Sequence, residues 1–181
     1  MLLIAAAPRM DVSIRTAVPG DAAAVVRILN PIIEARMFTV FDAPFTVEVE
    51  REYIANFPSR GVFHVAVRDE DQRVIGFQSL EPFATYTRAF DHVGVVGTYV
   101  DAGVRRQGVA RRLFEATLRT ARQKGYAKLF TFVRADNPPA LRTYLDQGFR
   151  VIGTAQRHAR IDGLYIDEIL IEKWLDDDAK S

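Results

Sequence analysis

Arg105-Arg106-Gln107-Gly108-Val109-Ala110 decides how this chain is read, because it stands where an apolar strand, Val93 to Val100, hands over to an amphipathic helix. Gly108 brings the backbone close to a ligand with no Cβ in the way, and the N–H groups that open a helix have no partners inside it. Those donors and the positive end of the helix dipole suit an anion, and the flanking arginines add forked donors for phosphate oxygens. The stretch reads as a pyrophosphate cradle. The competing reading is a solvated basic loop before a surface helix.

Outward from the cradle, the helix keeps an apolar stripe of Val109, Leu113, Ala116, Leu118 and Ala121 and ends near Lys124, with Gly125 as its C-cap. Arg111, Arg112, Arg119 and Arg122 fall mostly off that stripe and read as solvated. Lys128 to Arg134 alternates as a buried strand. Asn137 then serves as an N-cap with Pro138 at the first helical position, opening a short helix that ends at Gly148. Phe149 to Gln156 and Leu164 to Lys173 form a hairpin around Asp162-Gly163.

Upstream, Val12 to Ala17 is a first strand, and Pro19-Gly20-Asp21 opens a helix striped by Ala22, Val25, Val26 and Leu29, with Pro31 near its end. Ile32 to Phe45 is irregular and aromatic. Phe38, Phe41 and Phe45 line a substrate-side segment or fill the core, and both readings stand at this point. Thr46 caps a second helix running to Phe57, with Glu48 and Glu50 in its first turn. Val62 to Arg68 and Val74 to Leu80 then alternate about the polar turn Asp69 to Gln72 as an antiparallel hairpin. Gly94 and Gly97 interrupt the strand before the cradle, as at a bulge or a close backbone approach.

With 181 residues, 49% of them hydrophobic, the chain builds one substantial domain, here residues 11–175. Residues 1–10 read as a frayed extension in which Met10 is an alternative start, and residues 176–181 as an acidic tail. A net charge of +1 argues against a general nucleic-acid binder, and no apolar run is long enough to span a bilayer. The absence of cysteine removes disulfides, thiolate metal sites and a cysteine nucleophile, and fits a cytoplasmic protein without a metal.

Taken together, these residues resemble the GNAT (Gcn5-related) N-acetyltransferases. The family's acetyl-CoA motif is matched by Arg105, Gly108 and Ala110, between Thr98-Tyr99-Val100-Asp101 and the helix, and is followed at the family's spacing by Asn137, Tyr144 and Gly148-Phe149. Ile14-Arg15 with Asp21, the Asn30 to Phe45 segment with Glu34, and the Gly163 to Asp167 turn bring it nearest to the phosphinothricin acetyltransferase type. The resemblance implies an α/β (α+β) GNAT fold: a mixed, mostly antiparallel sheet of about seven strands with about four helices, splayed between the fourth and fifth strands.

It also implies acetyl-CoA as co-substrate, no metal, and direct attack by a primary amine of a small molecule such as an amino acid or amino-acid-like antibiotic. Residues Arg105 to Ala110 (Arg105, Arg106, Gln107, Gly108, Val109, Ala110), with Thr98, Tyr99, Val100, Asn137 and Tyr144, would hold the cofactor. Tyr144 stands at the family's acid position for the departing thiolate, although Leu141, Tyr144 and Leu145 also make an ordinary buried helical face. Relatives of this type carry a glutamate base where this chain has Val95. Glu34 leads the replacements, followed by Glu81, Asp91, His92 or a water chain. Protein, peptide or polyamine acceptors and a non-catalytic acyl-CoA-binding module are the alternatives. The resemblance further implies a homodimer, with Leu164 to Trp174 as interface candidates; burial inside the monomer accounts for the same residues.

Overall fold

A computed structural model describes residues 10–175, so the readings made for the first nine residues and for 176–181 lie outside the described residues. One seven-stranded sheet runs through the molecule in the order β1-β2-β3-β4-β5-β7-β6. Its strands are β1 Val12–Thr16, β2 Val62–Arg68, β3 Arg73–Pro82, β4 Val93–Val100, β5 Lys128–Arg134, β6 Arg150–Ile161 and β7 Leu164–Trp174. The helices are α1 Ala22–Glu34, α2 Val47–Ala55, α3 Val109–Gln123 and α4 Pro138–Leu145. Every neighbouring pair is antiparallel except β4 and β5.

Period-two alternation sends the two halves of each strand to different cores. Phe63, Val65, Val67 and Phe77 pack beneath α1 and α2, with Tyr99 partly buried against them. Val62, Leu80, Val96, Leu129, Val133 and Ile171 meet Phe114, Tyr144 and Phe149 from the α3 and α4 side. Burying a large aliphatic or aromatic side chain contributes about 1.5–3 kcal/mol, so these two layers carry the fold. Gly76 is required where α3 crosses β3, since a Cβ there would stand 3.1 Å from both Val109 Cγ1 and the Tyr99 carbonyl.

Several local readings shift by a few residues. Pro31 lies inside α1, which continues to Glu34, because a missing N–H costs one intrahelical bond while Ile32 and Ile33 gain burial in the first core. Strands β3 and β6 extend beyond the expected Val74 to Leu80 and Phe149 to Gln156, as their partners supply hydrogen bonds that the local pattern does not reveal. Asp162 and Gly163 have φ of 50° and 81°, the left-handed pair that a tight hairpin needs. Two arginines read as solvated are structural: Arg112 donates to the Val12 carbonyl at 2.8 Å and Arg122 to the Leu175 carbonyl at 3.0 Å.

Candidate active site

The sheet opens at its one parallel joint. Among the described residues, pairing between β4 and β5 is confined to Val93, Gly94 and Val95 against Lys128, Leu129 and Phe130. Beyond Val95 the strands part, while β4 stays paired to β3 as far as Val100. The Phe83 N–H donates to the Val93 carbonyl, and the Asp101 N–H to the Ile75 carbonyl. In an antiparallel ladder the residues that bond toward one neighbour alternate with those that bond away from it. Val96, Thr98 and Val100 therefore turn their N–H and C=O groups into the opening, whereas Tyr99 turns its own toward Phe77 in β3.

Where the strand ends, Asp101 fixes the turn. It accepts from the Gly103 N–H at 3.0 Å and pairs with Arg27 at 2.7 Å and Arg73 at 3.1 Å, which hold its carboxyl below the ordinary value against the opposing effect of burial. The chain then passes through Arg106 at φ 62° and Gly108 at φ 82° into α3. A non-glycine residue held in this region costs about 1–2 kcal/mol, and such strain gathers at ligand clamps. Among the described residues no side chain caps the N-terminus of α3, and a Cβ on Gly108 would meet nothing within 4 Å. The first N–H groups of α3 are thus left without a side-chain partner among the described residues. Arg27, Pro31, Phe38, Asp101, Ala102 and Arg105 line a groove beside it.

Tyr144 reaches the opening from α4. It is 7% exposed, wedged edge-on between Phe114 and Phe149, and its hydroxyl donates to Thr98 Oγ1 at 3.3 Å. Burial pushes its phenol up, against the opposing pull of the Thr98 hydroxyl and N–H. Gln78 Nε2 donates to the same Thr98 oxygen at 2.7 Å. Leu145 faces outward, so the buried side of α4 is Tyr144 with Ala140 and Leu141 rather than the expected trio. Asn137 caps α4 by accepting from the Ala140 N–H at 3.2 Å, and its Nδ2 donates to the Phe38 carbonyl at 3.3 Å.

That last bond belongs to a set which lays residues 35–45 across the site. Arg134, at the end of β5, makes a forked pair with Asp136 and donates to the carbonyls of Arg36 at 2.8 Å and Thr39 at 3.2 Å. The Arg105 guanidinium stands 5.0 Å over the Phe38 ring. Phe41 lies 6.5 Å from Tyr99 and 5.3 Å from Phe45, while Phe45 packs into the first core. The aromatic segment is therefore divided between core and site. Sequence reasoning missed Arg134 and Thr39; a buried arginine at a strand end was the available signal.

On the α1 and α2 side, Gly97 leaves bare backbone where a Cβ would come within 3.3 Å of the Tyr99 ring. Tyr99 stacks on Phe77 at 4.9 Å and is hydrogen-bonded to Thr39, and burial pushes its phenol up. The carboxylates named from sequence are scattered. Glu34 is exposed at the last turn of α1, Asp91 pairs with Arg60 at 3.2 Å, and His92 is exposed with its carbonyl accepting from Ala127 and Lys128. Glu81 lies in β3 directly opposite Val95 and accepts from the Tyr53 hydroxyl at 2.5 Å. Among the described residues no cluster of side chains has the makings of a metal site.

A parallel strand pair thus opens beside the basic start of a helix that no described side chain caps. The chain matches the Acetyltransferase (GNAT) family over residues 31–149, and it belongs to that family. It is 32% identical to YwnH of Bacillus subtilis, provisionally named a phosphinothricin acetyltransferase, over 86% of this chain and 94% of the relative. A crystal structure provisionally described as a phosphinothricin N-acetyltransferase is 30% identical, with a TM-score of 0.82 over 91% of this chain and 99% of that one. A phosphinothricin acetyltransferase from Sinorhizobium meliloti, solved with AcCoA, shares the fold with a TM-score of 0.83 at 16% identity, over 91% and 89% of the two chains.

Proposed function

We propose that this acetyltransferase moves acetyl from acetyl-CoA to a primary amine of a small molecule. The observation that carries the reading is the opened β4 edge, Val96, Thr98 and Val100, running from the Tyr144 hydroxyl to the uncapped start of α3. The residues fit the cofactor: Arg105 to Ala110 would take the pyrophosphate, and the β4 edge would bond the pantetheine amides. When bound, the cofactor supplies a thioester carbonyl activated for attack. Tyr144 stays protonated near neutral pH and can give its proton to a departing thiolate.

The 35–45 segment supports a small acceptor. It is tied down by Arg134, Asn137 and Arg105 over the face from which an amine would approach, which leaves less room for a polypeptide or a long polyamine. A module that binds acyl-CoA without transfer draws only on Val95. Exposed Val151, Ile152, Leu164 and Tyr165 on the outer β6–β7 hairpin favour a homodimer through that edge, and the lack of cysteine is in keeping with a cytoplasmic setting. No helix among the described residues is long and apolar enough to cross a membrane.

The test is release of free thiol from acetyl-CoA across amino acids, methionine sulfone and sulfoximine, phosphinothricin, polyamines and N-terminal peptides. Turnover with an amino-acid-like amine is expected. Tight acetyl-CoA binding with no turnover of any amine would leave the binding-module reading in its place. Light scattering at micromolar concentration checks the dimer.

A further inference from the structure

We infer that Glu81, oriented by Tyr53, receives the acceptor ammonium and takes its proton, so that the base of this enzyme stands one strand away from the position that Val95 occupies. The inference rests on the acetyl-transfer reading above.

The register makes the case. Glu81 and Val95 are opposed in the β3–β4 ladder, and directly opposed side chains sit on one face of the sheet with Cβ atoms about 4.5–5.5 Å apart. Val95 is the last β4 residue paired to β5, so the pair marks the point where the sheet begins to open. Ser79 and Gly97 form the next opposed pair on that face, followed by Phe77 and Tyr99. The face therefore runs from a carboxylate to the Tyr99 ring, which lies over Gly97 and stacks on Phe77, with Phe41 beyond it. An ammonium held by Glu81 would stand beside this aromatic wall.

The carboxylate is held for the task. Tyr53 donates to Glu81 Oε1 at 2.5 Å, and Oε2 has no hydrogen-bond partner among the described residues. Tyr53 is itself packed edge-on against Phe57 and Phe63, and burial, then the Glu81 bond, push its phenol up, so it remains a donor. Glu50, three residues before Tyr53 on α2, is 5% exposed, and its carboxyl group has neither a hydrogen bond nor an ion pair among the described residues. Its carboxyl is pushed up to about 7 by burial, so near neutral pH part of it adds negative charge behind Tyr53. The remaining titratable groups near Glu81 are Tyr126 and, beyond it, Asp91 with its partner Arg60. Glu34, by contrast, is exposed, and among the described residues no hydrogen bond or ion pair orients its carboxylate.

The proton count closes. The ammonium gives one proton to Glu81 Oε2, and the freed amine forms a C–N bond at the thioester carbonyl as the C–S bond breaks. The electron pair leaves on sulfur, which takes a proton from Tyr144; the proton shed by the new amide nitrogen restores Tyr144 through water, and Glu81 releases its own to solvent.

The experiment compares wild type with Glu81→Gln, using acetyl-CoA and the fastest amine of the panel above, as a function of pH, with acetyl-CoA binding followed by calorimetry. Near neutral pH, Glu81→Gln is expected to lower kcat/KM by about 10²-fold. Its remaining activity should climb about tenfold per pH unit until the free amine predominates, with acetyl-CoA affinity unchanged. Equal activity and the same pH profile in both proteins would overturn the role of Glu81 and leave acetyl transfer standing. No turnover by wild type with any amine would remove both. If Glu81→Gln does not fold, Tyr53→Phe decides: losing the donor should shift the acid limb of the profile to higher pH, and an unmoved limb overturns the proposal.

Discussion

The Tyr144 hydroxyl donates to Thr98 Oγ1 at 3.3 Å and so joins α4 to β4 across the opening between β4 and β5. One short contact thus fixes the Tyr144 hydroxyl, the proton donor we propose, over the strand whose backbone edge is exposed. Gln78, fully buried on β3, donates to the same oxygen at 2.7 Å and holds the threonine rotamer from behind. The position of the Tyr144 hydroxyl depends on three elements that are distant in sequence.

Tyr144→Phe should lower kcat by about 10²-fold or more while leaving acetyl-CoA affinity nearly unchanged. The lost hydrogen bond should cost only about 1 kcal/mol of stability, since the ring keeps Phe114 and Phe149. Steady-state thiol release, calorimetric binding and urea unfolding separate these three effects.

Gly108→Ala and Gly125→Ala both place a Cβ on a residue near φ 82°, and neither Cβ would meet another atom within 4 Å. Each should destabilise by about 1–2 kcal/mol through backbone strain alone. Only Gly108→Ala should weaken acetyl-CoA binding, because on the proposed site its Cβ would stand where a phosphate approaches the α3 N–H groups. Thermal melting with and without acetyl-CoA is the measurement.

Glu50 gives a pH signature of the opposite sense to an ordinary ion-paired carboxylate. Its folded value of about 7 lies above the ordinary 4.5, so the folded state holds the proton more tightly between those values. The associated stability is complete below 4.5 and is lost as pH rises through 7, at up to about 1.4 kcal/mol per pH unit for a single proton. Glu50→Gln should abolish that slope and be more stable than wild type above pH 7. Urea unfolding at mildly acid and mildly alkaline pH tests it.

Arg134→Lys keeps the charge but loses the fork that holds Asp136 and the carbonyls of Arg36 and Thr39 together. The 35–41 segment should exchange its amide hydrogens faster, and KM for the acceptor should rise more than KM for acetyl-CoA. Unchanged exchange in that segment would show that Asn137 and Arg105 suffice to hold it.

Much of this molecule was legible locally. Gly108 after two arginines, Asn137 before Pro138, Thr46 before an acidic turn and Asp162-Gly163 between alternating runs each announce a cap or turn, because the conformation needed is set by the residue that adopts it. The order of strands and helices, the family, the turn at Gly108 and the inward place of Tyr144 on α4 were therefore within reach of the sequence. What the sequence could not supply was register. Whether Glu81 faces Val95, whether Tyr53 reaches Glu81, and which backbone groups of β4 look into the opening depend on pairings between segments up to dozens of residues apart. A slip of one residue would turn every one of those side chains to the other face, and no local propensity encodes that choice. The same holds for Arg134, whose partners at 36 and 39 lie almost a hundred positions away. Local chemistry determined where the chain turns and where its helices start; long-range burial and hydrogen bonding alone decided which carboxylate stands beside the opened strand.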